Sequence, residues 1–399
     1  MPSMIPASDH QQLRNWVREF TDRVVQPVAR DLDRKVDPED CFTWEIVEQA
    51  DQIGLRTLTI DERYGGAGFD FTAATVVVEQ LAVADLGVAI MLAHPMKDMK
   101  LFQDAASEEQ KDRFLRQFVA NPRALSAIGN TEPELGSDRI TGLPGVRYRT
   151  TAQRVEGGWI LNGTKHFISN GNRASLYLIG AQTDLDEDLA RGSTMFIVER
   201  DNPGLAPGVV HDKLGERLAN NSEIILNNCF VADRDVLGQV NGGRRLFRQA
   251  ISASNAYAAA QILGAARGAY EQTLKWCATR IQGGRRLIEH DAVVTALARM
   301  RMQLDVGRAY TMAAAHAADH SEEWDPTMAA FPKAYAAEAA WDVASKCMEL
   351  HGGYGFMKDL GIEKSLRDIA CCMHLDGTNY ALYLKAAPYI RAAAGLEAH

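Results

Sequence analysis

Four short segments of the chain combine turn-forming residues with side chains that could bind or transform a ligand. The first, 130–138, reads Asn-Thr-Glu-Pro-Glu-Leu-Gly-Ser-Asp and is rich in turn formers and hydroxyl groups. A loop of this kind can present backbone N–H and hydroxyl groups to an anionic or polar ligand. The same residues also suit a plain turn, and the segment alone favours that simpler interpretation.

The second segment, 165–171, reads Lys-His-Phe-Ile-Ser-Asn-Gly. Its Phe167 and Ser169 stand two residues apart, so both side chains would lie on one face of a strand. Such a face could stack on a flat heterocycle and form a hydrogen bond with its edge. Taken alone, this pattern more often belongs to a half-buried strand.

The third segment is Arg280 with the glycine pair at 283–284. An arginine beside a glycine loop suits a phosphate or pyrophosphate, because the guanidinium can bind two phosphate oxygens at once. A helix that ends with a basic residue in its last turn and a glycine cap would look the same.

The fourth segment reads Glu-Leu-His-Gly-Gly-Tyr-Gly-Phe at 349–356, and Leu-Asp-Gly-Thr follows at 375–378. Glycines allow a backbone to approach a ligand closely. Asp376 lies beside the apolar Leu375, and a carboxylate in such surroundings is a candidate general base. An aspartate that caps a helix N-terminus would show the same Asp-Gly-Thr pattern.

The elements that position these segments fall into three zones. Residues 1–123 are mostly helical in pattern, and the apolar stretch 72–91 predicts one buried helix. Residues 124–235 are rich in glycine, asparagine and β-branched residues, which indicates strands at 157–163, 193–198 and 223–226. Residues 236–399 predict long helices over 246–279 and 290–319. We therefore predict an α+β chain of three domains with these bounds, in the order helical, β, helical.

Composition narrows the function classes. The 399 residues include 43 Lys plus Arg and 52 Asp plus Glu, for a net charge of −9, so we expect no nucleic-acid partner. The six cysteines contain no C-x-x-C pair, which indicates a reduced, cytoplasmic protein. We find no signal peptide, no apolar run long enough to insert in a membrane and no convincing set of metal ligands. Dinucleotide and P-loop motifs are not found either.

Together, the order and spacing of the four segments resemble the acyl-CoA dehydrogenase family of flavoproteins over essentially the whole chain. Thr-Glu-Pro with Gly-Ser-Asp, Phe-Ile-Ser-Asn-Gly, Arg280 with its glycines, His-Gly-Gly-Tyr-Gly and Asp-Gly-Thr all fall in register with that family. The resemblance implies an N-terminal α-helical domain, a middle β-barrel-like domain and a C-terminal four-helix bundle. It also implies FAD between the β domain and the bundle. Because the cofactor also touches a neighbouring subunit, we expect a homodimer or homotetramer.

The resemblance assigns roles residue by residue. The flavin ring or the thioester end would be lined by Ile128, Asn130, Thr131 and Ser137. Phe167 and Ser169 would contact the ring, and Arg280 would reach the pyrophosphate of the cofactor in an adjacent subunit. The implied cofactor contacts are Ile128, Asn130, Thr131, Ser137, Phe167, Ile168, Ser169, Arg280, Asp291, Glu349, Gly352, Gly353, Thr378 and Tyr380. The implied substrate contacts are Ser137, Ser252, Ser254, Asn255 and Gly377.

The reaction of the family is α,β-dehydrogenation of an acyl-CoA. A carboxylate removes the α proton while the β hydride passes to flavin N5, and an electron-transfer flavoprotein then accepts the electrons. The family base is a glutamate, whereas this chain has Asp376, which is shorter by about 1.5 Å. Some relatives place the base at the position of Ser254, where serine cannot act as one, so Asp376 is the catalytic candidate.

Further departures from the family pattern bear on the substrate. The family Arg and Asp that help to secure an ordinary acyl-CoA align with Asn255 and Ser252, which indicates a cyclic, branched or polar acyl group. Two alternatives stay open. One is a flavin oxidase of small carbon acids, similar to nitroalkane oxidases, which also use an aspartate base. The other is a non-catalytic flavin-binding relative or one half of a hetero-oligomer.

Overall fold

The N-terminal part of the chain is helical. The structure, a computed structural model, describes residues 9–141, 143–320 and 326–396. The helices of this part are α1 (His10–Phe20), α2 (Gln26–Asp33), α3 (Trp44–Gln52), α4 (Phe71–Ala84), α5 (Leu86–Ala105) and α6 (Glu108–Ala120). The predicted single helix over 72–91 is therefore wrong. Asp85 is extended and ends α4, and its carboxylate caps α5 by accepting the Val88 N–H at 3.0 Å.

The middle part forms one eight-stranded sheet. Its strands are β1 (Ser126–Gly129), β2 (Thr151–Val155), β3 (Gly158–Ser169), β4 (Leu176–Gln182), β5 (Ser193–Glu199), β6 (Leu205–Val210), β7 (Asn221–Ala232) and β8 (Val236–Leu237). Two short helices, α7 (Asp138–Thr141) and α8 (Leu189–Gly192), lie between them. The order is β6-β7-β3-β2-β4-β5-β8, and β1 pairs in parallel with β4.

The strand that carries the second segment is longer than predicted. Gly163 looks like a turn residue in the sequence, but β3 continues through it to Ser169. Gly163 has φ +149°, and a Cβ there would lie 2.6 Å from the Thr150 Cα. Glycine is needed at this position because two backbones approach closely, and the chain does not turn there.

The C-terminal part returns to helices. They are α9 (Gly243–Thr279), α10 (Asp291–His320), α11 (Pro326–His351), α12 (Gly353–Phe356), α13 (Ile362–Ala370) and α14 (Asn379–Ala393), with a hairpin of β9 (Ile281–Gln282) and β10 (Arg285–Arg286). Helix α9 packs on α10, α11 and α4, and α14 packs on α11. The two long helices predicted from periodicity are present within a few residues of their predicted ends. In the described part of the chain, no helix is long and apolar enough to cross a membrane.

Buried charges join the three parts of the chain. Lys364 of α13 donates to Asp85 at 2.7 Å and to Asp368 at 2.5 Å, and Asp368 accepts the Glu216 N–H at 2.7 Å. Burial alone would lower the pKa of Lys364, but the two carboxylates outweigh it and raise that pKa. This cluster, which we call the Lys364 junction, fixes α13 against both the N-terminal helices and the sheet. The domain limits at 123 and 235 stay predictions.

Candidate active site

A cavity of about 840 Å³ lies among the sheet, α5, α9 and the loop that precedes α14. It brings together residues that the sequence places more than 200 positions apart. The predicted site residues that line it are Ile128, Asn130, Thr131, Ser137, Phe167, Ile168, Ser169, Ser254, Asp376 and Gly377. Residues of the first, second and fourth segments therefore line the same cavity.

Asp376 lies in the tight loop that starts α14. The residue that caps this helix is Thr378, whose hydroxyl accepts the Ala381 N–H at 3.2 Å, so the alternative of Asp376 as the cap is wrong. Asp376 has φ +50°, a left-handed conformation that aspartate tolerates better than most residues. Its side chain is 23% exposed and lines the cavity. The turn therefore presents the carboxylate to the cavity instead of using it to cap the helix.

Three neighbours contact Asp376. The Ser254 hydroxyl donates to its Oδ2 at 3.3 Å, and the Asn255 amide donates to its backbone oxygen at 3.3 Å. The Lys97 Nζ lies 3.8 Å from Oδ1. Asn255 is fully buried, so it holds the backbone of the candidate base and does not line the cavity. Ser252 belongs to α9, and its side chain lies outside the described residues.

A buried lysine supports the same loop. The Lys333 Nζ donates to the Gly377 carbonyl at 2.8 Å and to the Asn379 Oδ1 at 3.2 Å. Burial lowers the pKa of Lys333 to about 8. Lys333 is not among the site residues predicted above, although a lysine within the alanine-rich stretch of α11 is a usable signal.

The loop 130–138 is anchored by a buried ion pair. The Glu132 carboxylate accepts from the Lys165 Nζ at 2.6 Å and from the N–H groups of Arg149 and Thr150 at 2.6 and 3.0 Å. Both charged side chains are fully buried. Burial lowers the pKa of Lys165 to about 8. Because Lys165 belongs to β3, the pair fixes the loop against that strand.

Ser137 joins this loop to the loop of the candidate base. Its hydroxyl accepts the Thr378 N–H at 3.1 Å, a contact between residues 241 positions apart. The cavity wall contributed by the sheet and the wall contributed by α14 are thus in direct contact.

Phe167 sits on a β-bulge. The pairing of β3 with β7 shifts register between Lys165 and Ile168, and Phe167 has φ +57°, a rare conformation for an aromatic residue. The Asn221 amide holds the bulge, donating to the Phe167 carbonyl at 3.1 Å and to the Ser169 Oγ at 3.3 Å. The ring is 59% exposed and lines the cavity. Local strain of this kind is typical of ligand sites.

The remaining predicted cofactor residues lie elsewhere on the surface. The Arg280 guanidinium lies over the rings of Trp276 and Tyr354, at 5.6 and 5.5 Å from their centroids. Arg280, Asp291, Glu349, Gly352 and Gly353 are exposed and do not line the cavity. Thr378 is the helix cap, and Tyr380 is 73% exposed. The assigned roles of these residues stay predictions.

The cavity fits a flat, hydrogen-bonding heterocycle such as the flavin of FAD. It offers the exposed Phe167 ring and the hydroxyls of Thr131 and Ser169. The Asn130 Nδ2 is buried and has no hydrogen-bond partner among the described residues, so it is a donor available to a ligand. The described ranges contain no group of three or more His, Cys, Asp or Glu residues that could hold a metal ion.

Comparisons with known proteins agree with this geometry. Three family models match: the acyl-CoA dehydrogenase N-terminal domain over residues 7–121, the middle domain over 127–229 and the C-terminal domain over 241–384. The chain is 30% identical to the 3-(aryl)acrylate reductase of Clostridium sporogenes, over 94% of this chain and 97% of that one. It is 29% identical to an acyl-CoA dehydrogenase of Bacillus subtilis, over 95% and 97%.

Solved structures give the same result. The butyryl-CoA dehydrogenase from Megasphaera elsdenii superposes with a TM-score of 0.89 at 27% identity, covering 96% of this chain and 98% of that one. The matches to family models span all three parts of the chain, and the cavity has the features that a flavin needs. The chain therefore belongs to the acyl-CoA dehydrogenase family of FAD-dependent oxidoreductases.

Proposed function

We propose that the protein catalyses α,β-dehydrogenation of an acyl-CoA thioester with a cyclic, branched or polar acyl group, and that Asp376 removes the α proton. The observation that supports this most directly is how the carboxylates that line the cavity are paired with cations. Asp212 pairs with Arg217, and Glu216 lies 3.2 Å from the Lys213 ammonium. Asp376 accepts a hydrogen bond from the Ser254 hydroxyl, and the Lys97 ammonium lies 3.8 Å away, so of these three carboxylates it is the one best able to accept a proton.

FAD, when bound, supplies the acceptor for the β hydride. Phe167 would pack against its ring, and Thr131, Ser169 and Asn130 would form hydrogen bonds with its edge. These residues orient the cofactor on the sheet side of the cavity, while Asp376 acts from the α14 side. An acyl group held between them would have its α carbon near the carboxylate.

The backbone of Asp376 supports a second role for this residue. Among the described residues, its N–H has no hydrogen-bond acceptor. An N–H group of this kind can donate to the thioester carbonyl as negative charge develops there, which makes the α proton more acidic. Asn255 and Lys333, which bind the carbonyls of residues 376 and 377, keep this N–H in place.

The test is anaerobic reduction of the bound flavin by a panel of acyl-CoA esters. Asp376→Asn should reduce the rate by about 10²- to 10⁴-fold, because it removes the base and keeps the shape. Ser254→Ala is the matched control, since it removes a neighbour and leaves the base, and its rate should fall less than tenfold. An Asp376→Asn enzyme that bleaches its flavin at the wild-type rate would refute the proposal.

Two outcomes of the same experiment would favour the alternatives. Oxygen uptake with nitroalkanes, without flavin reduction by any acyl-CoA, would point to an oxidase of small carbon acids. Protein that stays colourless after addition of FAD would point to a non-catalytic relative.

We propose further that electrons leave to an electron-transfer flavoprotein and that the protein assembles as a homodimer or homotetramer in the cytoplasm. The exposed surface around Arg280 supports the assembly, because its residues are those that the family resemblance places against a neighbouring subunit's cofactor. Light scattering on the flavin-loaded protein tests the assembly, and reduction of a purified electron-transfer flavoprotein tests the acceptor.

A further inference from the structure

Helix α5 presents polar side chains to the cavity. Ile90, His94 and Lys97 follow one another at spacings of four and three residues, so they share one face of the helix. All three line the cavity that contains Asp376. An ammonium and an imidazole therefore form part of the wall around the space available to the acyl group.

In the described part of the chain, the ammonium of Lys97 has no hydrogen-bond partner. Its side chain is only 17% exposed, and the nearest carboxylate oxygen, the Oδ1 of Asp376, lies 3.8 Å away, which is beyond hydrogen-bond distance. Its only neighbouring carboxylate among the described residues is therefore too far away to accept a hydrogen bond. A mostly buried ammonium without acceptors is unfavourable in the free protein, so it is available to a ligand that brings an acceptor.

His94 is held in position from behind. Its Nδ1 lies 3.3 Å from the Oδ2 of Asp98, a fully buried residue whose Oδ2 also accepts from the Ser126 hydroxyl at 2.8 Å. A carboxylate only accepts, so Nδ1 carries the proton in this contact. In the neutral ring the other nitrogen, Nε2, is therefore an acceptor, which leaves Lys97 as the donor for an anionic group on this face of α5.

The carboxylate of Asp376 faces two cations. Lys97 and Arg139 both line the cavity and interact with the single carboxylate of Asp376. The other cations of the lining have their own anions, since Lys213 pairs with Glu216 and Arg367 bonds Asp33 at 2.6 Å. Lys97 thus shares the carboxylate of Asp376 with Arg139, and an anionic group on the acyl chain would give Lys97 an acceptor of its own.

We propose that Lys97 binds a carboxylate on the acyl group, so that the substrate is the CoA monothioester of a dicarboxylic acid. This rests on the proposed function and narrows its substrate class.

The experiment compares two esters of equal length, glutaryl-CoA and pentanoyl-CoA, and a second pair, adipoyl-CoA and hexanoyl-CoA. The ratio of their kcat/KM values is measured by dye-coupled flavin turnover on the FAD-loaded enzyme. The wild type should favour the dicarboxylic ester by about 10- to 100-fold, as expected for a charge-assisted hydrogen bond in a desolvated site. Because the ratio is taken within one enzyme, a general loss of activity does not change it.

Lys97→Met should abolish this preference and raise activity with the methyl-ended esters, and Lys97→Arg should retain part of the preference. Lys100→Met is the matched control, because Lys100 is an exposed lysine of the same helix that pairs with Asp104. Equal use of both esters by the wild type, or an unchanged preference in Lys97→Met, overturns the assignment of Lys97 while leaving the proposed dehydrogenation intact. If no ester of the wider acyl-CoA panel reduces the flavin in the wild type or in Lys97→Met, the proposed function itself is overturned, and the assignment with it.

Discussion

Replacing Lys333 by methionine should reduce activity without a comparable loss of stability. Methionine keeps most of the length of the side chain and removes its charge. In the wild type, Nζ donates to the Gly377 carbonyl at 2.8 Å and to the Asn379 side chain at 3.2 Å. The variant releases the carbonyl of the residue next to Asp376, so the loop that orients the candidate base loses its support.

The expected magnitudes follow from the burial of Lys333. Its side chain is fully buried, and burial lowers its pKa from 10.5 to about 8. At pH 7 the folded state therefore holds this charge at a cost of about 3 kcal/mol, which the variant recovers. The unpaired Gly377 carbonyl costs about 1–3 kcal/mol in return. The free energy of unfolding should thus change by less than about 2 kcal/mol, whereas displacing the base by ~1 Å lowers kcat by about 100-fold.

The pH dependence of stability provides an independent check. Between pH 8 and pH 10.5 the unfolded chain keeps the proton of Lys333 and the folded chain has lost it. The unfolded state then binds more protons, so Lys333 makes the wild type gain stability as the pH rises through this window. Lys333→Met lacks that contribution, and its free energy of unfolding should rise less steeply from pH 8 to pH 10.5.

Urea denaturation of the FAD-loaded protein and anaerobic flavin reduction measure the two quantities. Lys346→Met is the control, because Lys346 is an exposed lysine of the same helix that bonds Glu349. The explanation is refuted if folded Lys333→Met reduces its flavin at the wild-type rate. It is also refuted if the free energy of unfolding and the rate of flavin reduction fall together and the free energy of unfolding changes with pH in the same way in the wild type and in Lys333→Met.

Two further substitutions test how the walls of the site are held. Lys165→Met leaves the Glu132 carboxylate buried without its partner, so the free energy of unfolding should fall by about 3–5 kcal/mol and less FAD should remain after gel filtration. The double variant with Glu132→Gln should recover part of that loss, and no recovery would contradict the charge argument. Gly264→Ala places a Cβ 2.2 Å from the Glu79 carbonyl, where α9 crosses α4, and should lower stability by about 1–3 kcal/mol. Gly353→Ala, which meets nothing within 4 Å, is its control, and equal melting temperatures of the two variants would contradict the packing argument.

The sequence predicts the parts of the site whose residues are adjacent in the chain. The Phe-Ile-Ser and Asp-Gly-Thr segments were recognised, and both line the cavity. The long helices were predicted from periodicity because each keeps a helical pattern over many turns. The break between α4 and α5 at Asp85 is hard to predict, because one polar residue barely interrupts an apolar run. The continuation of β3 beyond Gly163 is equally hard to predict, because a glycine in a strand looks like a turn residue.

The supporting residues could not be predicted from the sequence, because their significance depends on distant contacts. Glu132 and Lys165 both lie in the quoted segments, yet nothing in a separation of 33 residues says that they pair. The contacts of Lys97 and Lys333 with the loop of Asp376 form only because α5 and α11 pack beside that loop. The Arg280 group lies apart from the cavity in one chain, so its predicted contact with a cofactor depends on a second subunit.

The Lys364 junction has a consequence for how ligands enter. It connects α13, the N-terminal helices and the sheet through groups that are almost completely buried. Swinging one part away from the others would expose or separate these charges, which carries a large free-energy penalty in a nonpolar interior. Hinged opening is therefore disfavoured, and we expect substrate and cofactor to enter the cavity without a large movement of the three parts relative to one another.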